Sequence, residues 1–229
     1  MKQLMMNAAG LILGLGMLVP NVRADSVVLT QNAYSYSVGG EFNAVTSPGN
    51  FLPNYSPLAV VGDGFETFCV QTTVDFYPGS TYTYTLSSSD SLGRDLTQGA
   101  AFLYDEFGRG VLPNYDYVDA AARNADAGAL QSALWWFQGG QTYGGFPSPT
   151  NNVYYQFAIN TLGLANADSA NDGRFGVDIL QMWDGNCNTA QNQLVLVSDN
   201  GATLLLLGAS VSALAVIRPR RKACRVENF

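Results

Sequence analysis

The stretch DAAARNADAGALQSALWWF, residues 119–137, decides how this chain is read. Ala120 to Ala122, Ala125, Ala129, Leu130, Ala133, Leu134 and Phe137 recur near helical spacing; Tyr117 or Asp119 starts the helix and Gly139-Gly140 stop it. The small alanines let such a helix approach a sheet or a second helix closely. A shorter helix is predicted from Thr97 to Phe107, with Phe102, Leu103 and Phe107 on one side and Gly108 at its end. Asn151 to Leu162 supplies a third candidate. Around these helices the pattern is strand and turn. Ser26 to Thr30, Ala33 to Val38 and the alternating Thr81 to Leu86 are rich in Val, Tyr and Thr, while Phe175 to Met182 and Gln193 to Val197 read as returning strands. In Thr81 to Leu86, Tyr82 and Tyr84 share one face and the threonines the other, a half-buried alternation. The expected fold is mainly β with two or three helices, a β-rich α+β domain.

The two ends read as targeting segments. Lys2, the apolar Leu4 to Val19 and the small-x-small Val22-Arg23-Ala24 make residues 1–24 an expected signal peptide. Ala202 to Ile217 contains no charge and is followed by Arg218, Arg220, Arg221 and Lys222, so residues 202–217 are expected to form a single transmembrane helix and residues 218–229 a basic cytoplasmic tail. Sixteen residues make a helix of only about 24 Å against a hydrocarbon core of about 30 Å, so the span is short. Residues 25–197 then form one extracellular domain. The expected localisation is an inner-membrane-anchored precursor that passes to the cell surface or the extracellular matrix.

Charge and composition exclude several functions. The 25–197 segment holds only Arg94, Arg109, Arg123 and Arg174 as bases, while seventeen of the eighteen acidic residues lie between Asp25 and Asp199. Such a surface repels nucleic acid. The chain has no histidine, which removes the commonest general base and a usual metal ligand; no metal site and no cofactor are expected.

Cysteine use leaves two readings open. Cys69 and Cys187 lie in the exported part, and a disulfide between them would close a loop of about 118 residues, worth about 3 to 5 kcal/mol in a chain-entropy estimate. Alternatively Cys69, in Phe68-Cys69-Val70-Gln71, partners Gln131, in Gln131-Ser132-Ala133-Leu134-Trp135. This second arrangement resembles the thioester-forming domains of bacterial surface proteins, in which a strand cysteine is joined to a helix glutamine. The resemblance covers residues 65 to 140 and includes the helix holding Ala100 to Tyr104; Trp136 departs from it, standing where a more polar residue is common. It implies a Cys69–Gln131 thioester, with Phe68 and Trp135 excluding water, that reacts once with an amine-bearing surface or matrix target.

The tail resembles a second group. Val197-Ser198-Asp199-Asn200-Gly201, then the apolar run and the arginines, is similar to the sorting tail of exosortase-processed (PEP-CTERM) proteins of Gram-negative bacteria, in the variant opening Val-Pro-Asp-x-Gly, with Ser198 in place of proline. Residues 198–201 would be the sorting motif and an exosortase-like processing enzyme the partner. Together the two resemblances imply an exported, membrane-anchored surface or matrix protein, adhesive rather than enzymatic. The alternatives are a passive domain stapled by Cys69 and Cys187, or a glycan-binding or glycan-cleaving domain using Asp105 and Glu106. Adjacent carboxylates on a helix diverge and make a poor acid/base pair.

Overall fold

The computed structural model describes residues 25–36, 39–47, 64–140 and 148–197. Strands β1 (Ser26–Tyr36), β2 (Gly39–Ser47), β3 (Gly64–Thr67) and β4 (Thr81–Ser87) precede helices α1 (Gln98–Gly108), α2 (Ala120–Phe137), α3 (Val153–Leu162) and α4 (Leu164–Ala167). Strands β5 (Val177–Trp183) and β6 (Thr189–Leu196) follow. All five strand pairings are antiparallel, in the order β3-β2-β1-β4-β5-β6.

Helices α1, α2 and α3 each begin where a short polar side chain satisfies amides that have no partner in the first turn. Thr97 accepts from the Ala100 amide, Asp119 from those of Ala121 and Ala122, and Asn152 from those of Tyr154 and Tyr155. Asn152 also donates to the Ala129 carbonyl at 2.7 Å, which ties the start of α3 to the middle of α2. Gly163, with φ 81°, ends α3 and starts α4 in a left-handed conformation that a side chain rarely adopts.

At β5 and β6 the sheet is covered on both faces. Ile179, Leu194 and Val177 pack with α1, α2 and α3 around Phe102, Tyr104, Phe107, Leu130, Leu134 and Tyr154. Leu180, Met182 and Val195 turn the other way, toward Val27, Leu29, Tyr82 and Tyr84. The tyrosines of β4 are buried and its threonines 81, 83 and 85 exposed, the half-buried alternation expected from period-2 patterning.

Two expectations are corrected. The domain is α+β with four helices, not mainly β with two or three: the third candidate, after Asn152, folds as α3 and buries Tyr154 and Ala158 against its neighbours, and α4, which was not expected, follows. Among the described residues no helix is long and apolar enough to cross a membrane; α2, the longest, contains Arg123 and Asp126. That finding corrects the reading as a membrane-anchored protein, held at the inner membrane by one transmembrane helix, in function and in localisation alike. The run of residues 202–217 is too short to cover the hydrocarbon core at helical rise. The segments 1–24, 202–217 and 218–229, with Arg218, Arg220, Arg221 and Lys222, lie outside the described residues.

Helix α1 sits so close to α2 that a Cβ on Gly99 would lie 2.7 Å from the Phe137 ring. Gly99→Ala is expected to lose about 1 to 3 kcal/mol of stability by urea denaturation. Gly185→Ala, with open space around the new methyl, should stay within about 0.5 kcal/mol of the parent.

Candidate functional site

The chain beyond β3 does not leave the sheet. Thr67 Oγ1 donates to the Leu194 carbonyl (2.6 Å), the Leu194 amide donates to the Phe68 carbonyl (3.1 Å) and the Val70 amide to the Asn192 carbonyl (2.9 Å). Residues 67–70 therefore lie along β6, and Cys69 faces Gln193 in an antiparallel bridge. This stitches the β3 end of the sheet to its β6 edge.

In such a bridge the Cys69 N–H and C=O point away from β6, and with no strand beyond they would be buried without partners. Gln131 of α2 supplies both bonds. Its Oε1 accepts from the Cys69 amide at 3.0 Å and its Nε2 donates to the Cys69 carbonyl at 2.7 Å. Both residues have no solvent exposure. The pair singled out in sequence thus meets as a side-chain carboxamide clamped on a strand backbone.

The two aromatic residues named with it separate. Trp135 packs with Cys69 and Phe42, and Phe76 stands edge-on to Phe42 at 4.9 Å. Phe68 points to the opposite side, into the helical core, edge-on to Phe107 at 5.0 Å. Gly39 closes the site from β2, since a Cβ there would meet Gln131 Cγ at 2.6 Å and the Trp135 ring at 3.0 Å.

The thiol faces a row of carboxamides. Cys69 Sγ donates to Gln191 Oε1 at 3.0 Å and receives a contact from Gln193 Nε2 at 3.5 Å. Gln191 Nε2 is held by the Gln71 carbonyl (2.6 Å), and Gln71 Oε1 accepts from the Asn192 amide (3.0 Å). Burial pushes the thiol up to about 12, opposed by the Gln193 hydrogen bond and aided by the negative charge of Asp75. At neutral pH the sulfur is protonated and inert toward outside reagents.

Cys69 is a free thiol, which corrects the reading as a domain stapled by Cys69 and Cys187. Cys187 stands in the turn between β5 and β6, whereas Cys69 faces Gln193, which at about 3.3 Å per strand residue lies roughly 13 Å beyond Thr189, where β6 starts. A disulfide needs Cα atoms within about 7 Å. Loop-closure arithmetic cannot see this. Of the sorting motif only Val197 is described; Ser198, Asp199, Asn200 and Gly201 lie outside the described residues. Asp105 and Glu106 both reach Arg109 on the surface of α1 and form no cleft pair.

A second buried cluster went unread in the sequence. Arg123 of α2 donates to both oxygens of Glu41 (2.9 and 2.8 Å) and to Glu66 Oε1 (2.7 Å), and its guanidinium lies 4.2 Å from the Tyr34 ring centroid. The Tyr115 hydroxyl also donates to Glu41. Glu66 Oε2 has no hydrogen-bond partner among the described residues. Two carboxylates sharing one guanidinium in a dry site favour keeping one proton. Burial first, then the charge of Glu41, push Glu66 up to about 8 although Arg123 opposes them. This cluster docks the N-terminal half of α2 on β2 and β3. Gln131 follows two turns later. A charged residue between apolar strand positions, Glu41 before Phe42, was the available signal, but its partners lie far away in sequence.

Among the described residues no group of three or more His, Cys, Asp or Glu side chains could hold a metal ion. No protein-family model, curated protein or solved structure matches the chain.

Glu66 generates a pH prediction. Its carboxyl holds a proton in the folded state up to about pH 8 but loses it near 4.5 once unfolded, so stability falls as pH rises through that window. Urea midpoints measured from pH 4 to 9 should show that fall, and Glu66→Gln should flatten it. An unchanged slope in Glu66→Gln would assign the pH dependence to other groups.

Proposed function

We propose that this domain forms a thioester between Cys69 and Gln131 and uses it once, to attach itself covalently to an amine-bearing partner. The observation that carries the reading is the clamp of the Gln131 carboxamide on the Cys69 backbone, at 3.0 and 2.7 Å, in a site without solvent exposure. It holds the acyl group against the backbone of the residue that carries the thiol, so that a rotation of the Cys69 side chain is what an intramolecular acyl transfer would need.

The residues take definite parts. The Cys69 N–H bonded to Gln131 Oε1 polarises the carbonyl and receives the negative charge that grows on that oxygen during attack. The bond from Gln131 Nε2 to the Cys69 carbonyl orients the leaving nitrogen. The Sγ–Cδ bond forms, the Cδ–Nε2 bond breaks, and ammonia departs with the thiol proton. In the second step an amine attacks Cδ, the C–N bond forms, the C–S bond breaks and the sulfur regains a proton from the amine. The product is an amide to Gln131, with no turnover. Trp135, Phe42 and Phe76 keep water from hydrolysing the acyl group in between. The tail resemblance belongs to the same reading, with an exosortase-like enzyme cutting within residues 198–201; the mass of the mature C-terminus tests that part.

Intact mass tests the thioester. Freshly made protein is expected about 17 Da below the sequence mass through loss of ammonia, and methylamine should then add about 31 Da to that species. Cys69→Ala is the matched control. Gln131 bonds only the backbone of residue 69, so the clamp survives in that variant while the mass loss and the methylamine adduct disappear. Wild-type protein at the unmodified mass, inert to methylamine, would leave Gln131 as a packing residue and defeat the proposal.

A further inference from the structure

Resting on the thioester reading, we propose that Gln193 is a positioning residue for this reaction, its side-chain N–H stabilising the Cys69 sulfur as it becomes nucleophilic, while Gln191 fixes the direction of the thiol proton. The antiparallel bridge puts the side chains of Cys69 and Gln193 side by side on one face. Gln193 Nε2 lies 3.5 Å from Sγ and also donates to the Gln191 carbonyl at 3.3 Å, which holds the amide edge toward the sulfur. On the other side Gln191 Oε1 takes the S–H at 3.0 Å and is itself held by its bond to the Gln71 carbonyl. The sulfur sits between one acceptor and one donor, both fixed.

Stability does not account for Gln193. The side chain is fully buried and its Oε1 has no hydrogen-bond partner among the described residues, a loss that an apolar residue at the same place would avoid. Its neighbours Leu194 and Val195 are apolar and equally buried. Beyond its bond to the Gln191 carbonyl, the carboxamide presents its N–H to the one group it faces that can develop charge, the thiol. Among the described residues no cation lies against the thiol. Cys69 packs with Trp135 of α2 and Phe42 of β2, and its thiol meets Gln191 and Gln193 of β6, all uncharged, while the negative charge of Asp75 disfavours thiolate. The Gln193 N–H is thus the group that favours the anionic sulfur, and it does so at the atom that attacks. The step remains balanced as above: Sγ–Cδ forms, Cδ–Nε2 of Gln131 breaks, and the thiol proton leaves in ammonia.

The test follows thioester formation in nascent full-length chain made by cell-free synthesis, quenched in acid at intervals and weighed intact, from pH 6 to 9. Gln193→Met keeps length and burial but removes the donor; Gln193→Glu keeps the shape and replaces the donor with a carboxyl group. Both are expected to slow the 17 Da loss, Gln193→Met by about tenfold, the equivalent of one hydrogen bond, with the rate profile displaced to higher pH. A purely structural role would change the yield of folded protein without moving the pH profile. Mass loss in wild type with the same rate and profile in both variants overturns the role of Gln193 and leaves the thioester standing. No mass loss in wild type overturns the thioester itself, and with it this role.

Discussion

Two hydrogen bonds from one side chain secure the joint between the two ends of the sheet. The sheet is antiparallel throughout, and its two ends, β3 and β6, meet only because residues 67–70 run along β6. That joint leaves the N–H and C=O of Cys69 facing the protein interior with no strand to receive them. An unpaired buried amide and carbonyl cost about 1 to 3 kcal/mol each. The Gln131 carboxamide, presenting one acceptor and one donor at the spacing of a neighbouring strand, removes both penalties at once. The same two bonds hold the Gln131 acyl group beside the backbone of the residue that carries the thiol, the pairing on which the proposed thioester rests.

For the clamp to form, α2 must be fixed in both position and rotation. The Arg123 cluster does this from one half of the helix, since a guanidinium bonded to Glu41 of β2 and Glu66 of β3 allows little sliding. Buried ion pairs are weak sources of net stability, but removing one partner from such a group costs about 3 to 5 kcal/mol, so they penalise misplacement strongly. The close approach of Gly99 to Phe137 and the bond from Asn152 to the Ala129 carbonyl hold the other half against α1 and α3. Gly39 completes the enclosure, because any larger residue there would press on Gln131.

How much of this was legible in the chain depended on the range of each interaction. Helices α1 and α2, the start of α3 at Asn152 and the β4 alternation could be read because their periods and caps lie within a few neighbouring residues. The short α4 and β3 carry too few residues for a clear period, and β2 opens on Gly39-Gly40-Glu41, all buried, which breaks the alternation. The facing of Cys69 by Gln193 spans 124 residues and has no local signature at all. Pairing Cys69 with Cys187 failed because chain-entropy arithmetic rewards any long loop and says nothing of where a turn lies in a sheet. Cys69 and Gln131 could be brought together by resemblance, whereas the carboxamides of β6 and the Arg123 cluster required the fold. The apolar C-terminal run suggested an anchor, yet its length fell short of a bilayer, and among the described residues no helix is fit to span one.

A crystal structure of the freshly purified domain, at a resolution that separates a thiol from an acyl sulfur, tests the central claim most directly. The account predicts continuous density from Cys69 Sγ to Gln131 Cδ, with Oε1 still bonded to the Cys69 amide and no nitrogen remaining on Cδ. An intact Gln131 carboxamide bonded to the Cys69 backbone, beside a separate thiol in protein of unmodified mass, would contradict it.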